Sequence, residues 1–264
     1  MDIIQRNFLR LLRHGAFGQK EAVEPMSEWK WEKLYQISRI HGVTPWIADA
    51  ILQRDDDFFL QLSPTLRQQF YDDNTERYEE HEHEELTNPL LNARLQKIAA
   101  EAGDGNPTYE LLLNMLSIAR YILTQGISLR HLIMLGTYLR TTKDPLDYEQ
   151  LKQWIRRLRM ERMAQLEGAL LKELFLFSDA EIRFTDLTID KSIRQVVNDI
   201  FQLTQKNAAN WYFTQGKSIF VRSSDSDAMF WHVKHSAKYM QYYPSEAVTN
   251  FLSNFAHSLS HIEE

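Results

Sequence analysis

The chain has 264 residues, a formal net charge of −6 and no cysteine. Without cysteine there are no disulfides, thiolate zinc sites or cysteine nucleophiles, and the negative balance argues against a dedicated nucleic-acid binder, which needs a basic face. A hydrophobic share of 44% with 25% charged residues is that of a globular protein, whereas 9 glycines and 7 prolines are too few for a turn-rich all-β or dinucleotide-binding fold.

The N-terminus opens with Ile3, Ile4, Phe8 and Leu9, but Arg6, Arg10 and Arg13 interrupt every apolar run. No export signal is expected there. No stretch reaches the ~20 apolar residues that a membrane span requires. The expectation is a cytoplasmic protein without a membrane partner.

Apolar spacing predicts a first helix from Ile3 to Arg13, stopped by Gly15 and Gly18. Ser27 is the N-cap candidate of a second helix carrying Trp31, Leu34, Tyr35 and Ile37, ended by Gly42. Pro45 suits the first turn of a third helix. Asp55-Asp56-Asp57 reads as a solvated break. Ser63-Pro64 opens a long helical stretch, charged between Asp72 and Glu85, which Asn88-Pro89 should split.

Gly103-Asp104-Gly105-Asn106-Pro107 is the densest breaker cluster and predicts a domain boundary. Tyr109 to Leu123 reads as the most apolar, central helix, ended by Gly126. Ser128 caps the next one, to Arg140. From Asp147 to Phe177 the helical spacing slips near Arg159-Met160, which predicts two helices with a bend. Further helices are expected over 189–203, 208–213, 225–242 and 245–261, with Ile219-Phe220-Val221 the only strand-like run. The predicted fold is all-α: an irregular helical bundle or array in two lobes, 1–102 and 108–264.

Several constellations could carry chemistry. His81-Glu82-His83-Glu84-Glu85 is the obvious metal candidate; on a helix His81 and Glu85 share a face, as do Glu79 and His83. No HExxH pattern or third ligand accompanies them, so a solvated charged face competes with a metal site. His257 and His261 stand four apart, and His232 and His235 three apart, spacings that also serve a helix end, where histidine is favourable. Asp225-Ser226-Asp227 resembles the DxD of phosphoryl transfer, but it precedes an apolar helix and reads better as an N-cap with first-turn acids.

Basic residues gather at Arg156, Arg157, Arg159 and Arg162, beside the apolar stripe. They could bind nucleic acid or an acidic partner, or form a solvated face paired with Glu161 and Glu167. No phosphate-binding loop, nucleophile elbow, EF-hand or kinase element is present.

A set of short stretches together resembles a known family. They are Phe8-Leu9-Arg10-Leu11-Leu12-Arg13 with Gly15, Trp29 with Tyr35 and Gly42-Val43-Thr44-Pro45, Gly126-Ile127-Ser128-Leu129-Arg130-His131, the Asp147-to-Leu151 helix start, and Tyr242-Tyr243-Pro244 with Glu246. Together they resemble the helical flanks of an uncharacterised bacterial nucleotidyltransferase-like family often associated with surface-polysaccharide loci. The family's core carries a lysine-glycine turn, an arginine and a metal-holding G-D-x-D strand, and none of these lies between Lys97 and Tyr109. A glutamine of the family stands here as His131, and its following Asp-Trp pair as Met134-Leu135. The resemblance therefore implies flanks joined at Gly103–Pro107 without the catalytic core, and no catalytic residue carries over.

The resulting expectation is a non-catalytic helical binding or scaffold protein, with no cofactor and with another protein or a second copy as partner. Two alternatives stand beside it: an enzyme with a helical, metal-assisted site at His81, His83 and Glu85 or at His257 and His261, and a regulator using the four arginines.

Overall fold

The computed structural model describes residues 1–54, 60–73, 86–124, 126–186, 193–198, 200–201 and 239–260, the last eight by backbone alone. All regular elements among the described residues are helices, so the fold is all-α. The chain forms two compact units, Met1–His81 with Lys191–Ser218 and Glu82–Asp190 with Ile219–Glu264.

In the first unit α1 (Ile3–Phe17) begins with a capping box: the Gln5 amide donates to Asp2 Oδ1 at 2.9 Å, and the Asp2 amide to Gln5 Oε1 at 3.1 Å. Ile4, Phe8, Leu11 and Leu12 are buried, the periodic face that the sequence announces. The helix continues through Gly15, past the predicted stop at Arg13. A Cβ on Gly15 would sit 1.8 Å from the Trp46 carbonyl oxygen, so this glycine serves a backbone crossing between α1 and α3 (Thr44–Leu52). Gly18, at φ 69°, is the actual stop.

Ser27 occupies the N-cap of α2 (Glu28–Ile40), but its side chain caps no amide. Gly42 turns the chain at φ 61°, and the buried Ser38 and Thr44 hydroxyls meet at 3.1 Å across that turn. The next helix, α4 (Pro64–Asp72), is capped by Ser63. Residues 193–198 and 200–201 are helical, and Phe201 meets Phe8 edge-on, centroids 6.0 Å apart.

The second unit holds α5 (Pro89–Ala102), α6 (Pro107–Thr124), α7 (Leu129–Thr141), α8 (Tyr148–Arg157), α9 (Glu161–Phe175) and α10 (Pro244–Ser260). The hub is α6, which packs on α7, α8, α9 and α10. Leu111, Leu112, Met115, Ile118, Ala119 and Ile122 line it, none more than 2% exposed. Each leucine, isoleucine and methionine among them contributes roughly 1.5–3 kcal/mol by leaving water. Trp154 of α8 meets Tyr109 of α6 edge-on.

The division between units at 81/82 differs from the boundary expected at Gly103–Pro107. That cluster is a tight connection between α5 and α6. Gly103 and Gly105 hold φ of 73° and 70°, and Asn106 Oδ1 accepts from the Thr108 and Tyr109 amides at 2.9 and 3.2 Å. Polar bonds tie α5 to its own unit: Arg94 Nη1 donates to the Arg157 carbonyl at 2.8 Å, and Glu101 pairs with Arg157. Breaker residues mark a reversal, and a reversal need not separate domains.

Candidate functional site

An exposed cationic feature lies at the corner where α8 passes into α9. The predicted bend falls there. Leu158 and Met160 are fully buried, so the three-residue join is pinned from both sides. Arg159 between them adopts φ 57°, a left-handed conformation that non-glycine residues rarely take, and it stands exposed.

The four arginines do not behave alike. Arg157 grips Glu101, with Nη2 to Oε1 at 2.9 Å, and this pairing pulls the Glu101 carboxyl below its ordinary range. It is a structural ion pair between α5 and α8. Arg156 and Arg159 are exposed, and their side chains make no ion pair or hydrogen bond among the described residues. Arg162, also exposed, reaches the Gln241 carbonyl at 3.4 Å. The proposed partnership with Glu167 is overturned: Glu167 is fully buried and neither carboxylate oxygen has a hydrogen-bond partner.

Glu167 is the residue that sequence reading placed wrongly. It lies one turn after Met163 and just before Leu170 on the apolar stripe of α9, all buried, and that position was the available signal. Burial drives its carboxyl well above the ordinary range, because desolvation disfavours the charged form. The hydroxyl of Tyr243 is likewise buried without a partner. Its pKa is raised by burial first, then by Glu246, Glu167 and Glu161.

Glu246 belongs to the Tyr242-Tyr243-Pro244-x-Glu246 stretch and has a definite task. Its carboxylate accepts from the Thr87 and Asn88 amides at 2.6 and 3.0 Å, just before α5. Asn88 in turn caps α5 through Oδ1, which accepts from the Leu90 and Leu91 amides, while its Nδ2 donates to the Ser245 carbonyl and Thr249 Oγ1. The starts of α5 and α10 are thereby locked together, and the amides at the start of α5 find side-chain acceptors.

In the first unit the arginines that break the N-terminal apolar run line one face of α1. Arg6 and Arg10 bind Glu24 at 2.8 and 2.7 Å, and Arg13 binds Glu21 at 2.6 Å. Asn7 closes the seam by exchanging two bonds with the Glu24 backbone. The hydrogen bond from Arg6 holds the Glu24 carboxyl at about 2. Nearby, the buried Arg54 Nε donates to His14 Nδ1 at 2.9 Å.

Of the metal candidates, His81, His83, Glu85 and His261 lie outside the described residues, as do His232, His235, Asp225 and Asp227. His257 is placed by its backbone in α10. Among the described residues no three His, Asp or Glu side chains converge as a metal would need, and no helix is long and apolar enough to cross a membrane. Comparisons with family models, with curated proteins and with solved structures gave no match.

Proposed function

We propose that the chain is a helical binding or scaffold protein that docks another protein, and that it acts without catalysing a reaction. The observation that carries this reading is the arginine corner, where three exposed guanidinium groups accompany one that is consumed by a structural pair. Support also comes from the stretches that carry the resemblance. In the nucleotidyltransferase-like resemblance they flank a core, and here Gly15, Thr44, Ser128 and Glu246 each perform a packing or capping task. The short Gly103–Pro107 connection, running directly from α5 into α6, is consistent with flanks joined without a core.

The test is incubation of the purified chain with each nucleoside triphosphate and magnesium or manganese. Unchanged nucleotide over hours, with the chain recovered intact, is the expected result. Metal-dependent release of pyrophosphate or phosphate that tracks with the protein would overturn the reading.

A further inference from the structure

We infer that the exposed trio Arg156, Arg159 and Arg162 is a docking surface for an acidic segment of another protein, recognised through side-chain carboxylates; this rests on the binding-protein reading above and names the partner's chemistry.

Two of the three arginines stand where local stability would not put them. Arg159 occupies a left-handed backbone position that costs an ordinary residue about 1–2 kcal/mol and that glycine would take freely. Arg162 lies in the first turn of α9, at the positive end of the helix dipole, where a cation is unfavourable and an acid preferred. Arg156, by contrast, sits in the last turn of α8, where a cation is stabilising. Local rules broken at neighbouring positions point to selection for something other than folding.

The surface carries net positive charge because four guanidinium groups stand against two carboxylates, Glu101, which is spent on Arg157, and Glu161 in the first turn of α9. All four cations are arginines rather than lysines. The planar guanidinium presents paired N–H groups that match a carboxylate fork, and it sheds water more readily than an ammonium. The buried Leu158 and Met160 hold the join in place, so the guanidinium stems project from a rigid base and less ordering is required on binding.

Charge decides between acidic protein and nucleic acid. A chain of net charge −6 repels a long polyanion at distances beyond the patch, while three guanidinium groups neutralise few phosphates. A short acidic segment needs only the corner.

The experiment is a fluorescence-anisotropy titration of the full chain into a fluorescein-labelled oligo-glutamate peptide, at about 50 and about 200 mM salt. Two triple variants are compared with the parent. One is Arg156→Gln/Arg159→Gln/Arg162→Gln; the other, Lys20→Gln/Lys33→Gln/Lys143→Gln, removes the same charge elsewhere. The expected result is saturable binding that weakens with salt, a loss of roughly tenfold or more in the arginine variant, and little change in the lysine variant. Circular dichroism and thermal melts confirm that both variants fold. Equal affinity in the arginine variant, equal loss in the lysine variant, absence of peptide binding, or tighter binding to a DNA or RNA oligonucleotide of equal length each overturns the proposal. None of these results bears on nucleotide turnover, which tests the binding-protein reading separately.

Discussion

Glu167 and Glu246 are both buried glutamates in the second unit, and they differ in what surrounds their oxygens. Glu246 accepts two backbone amides; Glu167 accepts nothing. Removing the charged acceptor from these half-buried amides costs roughly 1.5–3 kcal/mol for each bond, so Glu246→Ala should destabilise the protein by about 2–4 kcal/mol in urea denaturation. Replacing an unpartnered buried acid with an apolar side chain of similar size should do the opposite, so Glu167→Leu should stabilise by about 1–3 kcal/mol. The pH dependence gives a second reading. The folded carboxyl of Glu167 is raised above 4.5, so the folded state binds the proton more tightly than the unfolded chain. Its contribution is fully present below about 4.5 and is lost as pH rises toward the folded value. The advantage of Glu167→Leu over the parent should therefore grow as pH rises above about 4.5; a constant difference would mean that Glu167 has a partner in solution.

At the level of helices, the sequence marks starts better than packing. Pro45, Ser63-Pro64, Asn88-Pro89, Ser128 and Asp147 all stand at helix starts, because a cap or an N-terminal proline is a local device visible within four residues. Gly15 lies inside α1 and does not stop it, for the complementary reason. The glycine is needed by a carbonyl on another helix, and nothing within its own helix announces that contact. The same limit explains the unit boundary, which depends on what α5 binds far along the chain. It also explains Glu167, whose surroundings come from several helices, although its place on an apolar stripe was legible. In the arginine run, periodicity showed that the four lay together, but only the fold distinguishes Arg157, paired with Glu101, from its three exposed neighbours. Gly15 and Gly18 give the matching prediction. Gly15→Ala forces a methyl against the Trp46 carbonyl and should cost about 1–3 kcal/mol or more. Gly18→Ala meets no atom within 4 Å but keeps φ 69°, so it should cost about 1–2 kcal/mol. Thermal melts of the two variants should rank them in that order; the reverse ranking would place the α1–α3 crossing elsewhere.

Across the whole molecule, acid should act in two successive windows. Burial lowers the imidazole of His41 to about 4, against a weaker upward pull from its hydrogen bond to the Ile200 backbone. His14 is lowered as well, by burial first and then by Arg54 and Lys20. Both histidines are more readily protonated in the unfolded chain, near pH 6.5. The stability they contribute is present above that value and is lost as pH falls from about 6.5 toward 4. Below this window the carboxylates take over. Glu24, held at about 2 chiefly by Arg6, and Glu181, brought to about 2 by Arg140 and Ser178 against the opposing effect of burial, stabilise the folded state above about 4.5 and cease to do so as pH drops toward 2. Glu167 works in the reverse sense over the upper range, so the observed slope is a difference, and a single variant is needed to isolate the histidine part. His41→Gln retains a hydrogen-bond donor but cannot take up a proton. Urea midpoints for this variant and the parent should diverge little near pH 7.5, and the variant should lose less stability than the parent between about pH 6.5 and 4. If the two curves instead fall in parallel through that window, the ring of His41 titrates in the folded protein as it does in water, and the enclosure formed around it by Phe8 and the Ile200 backbone is not closed.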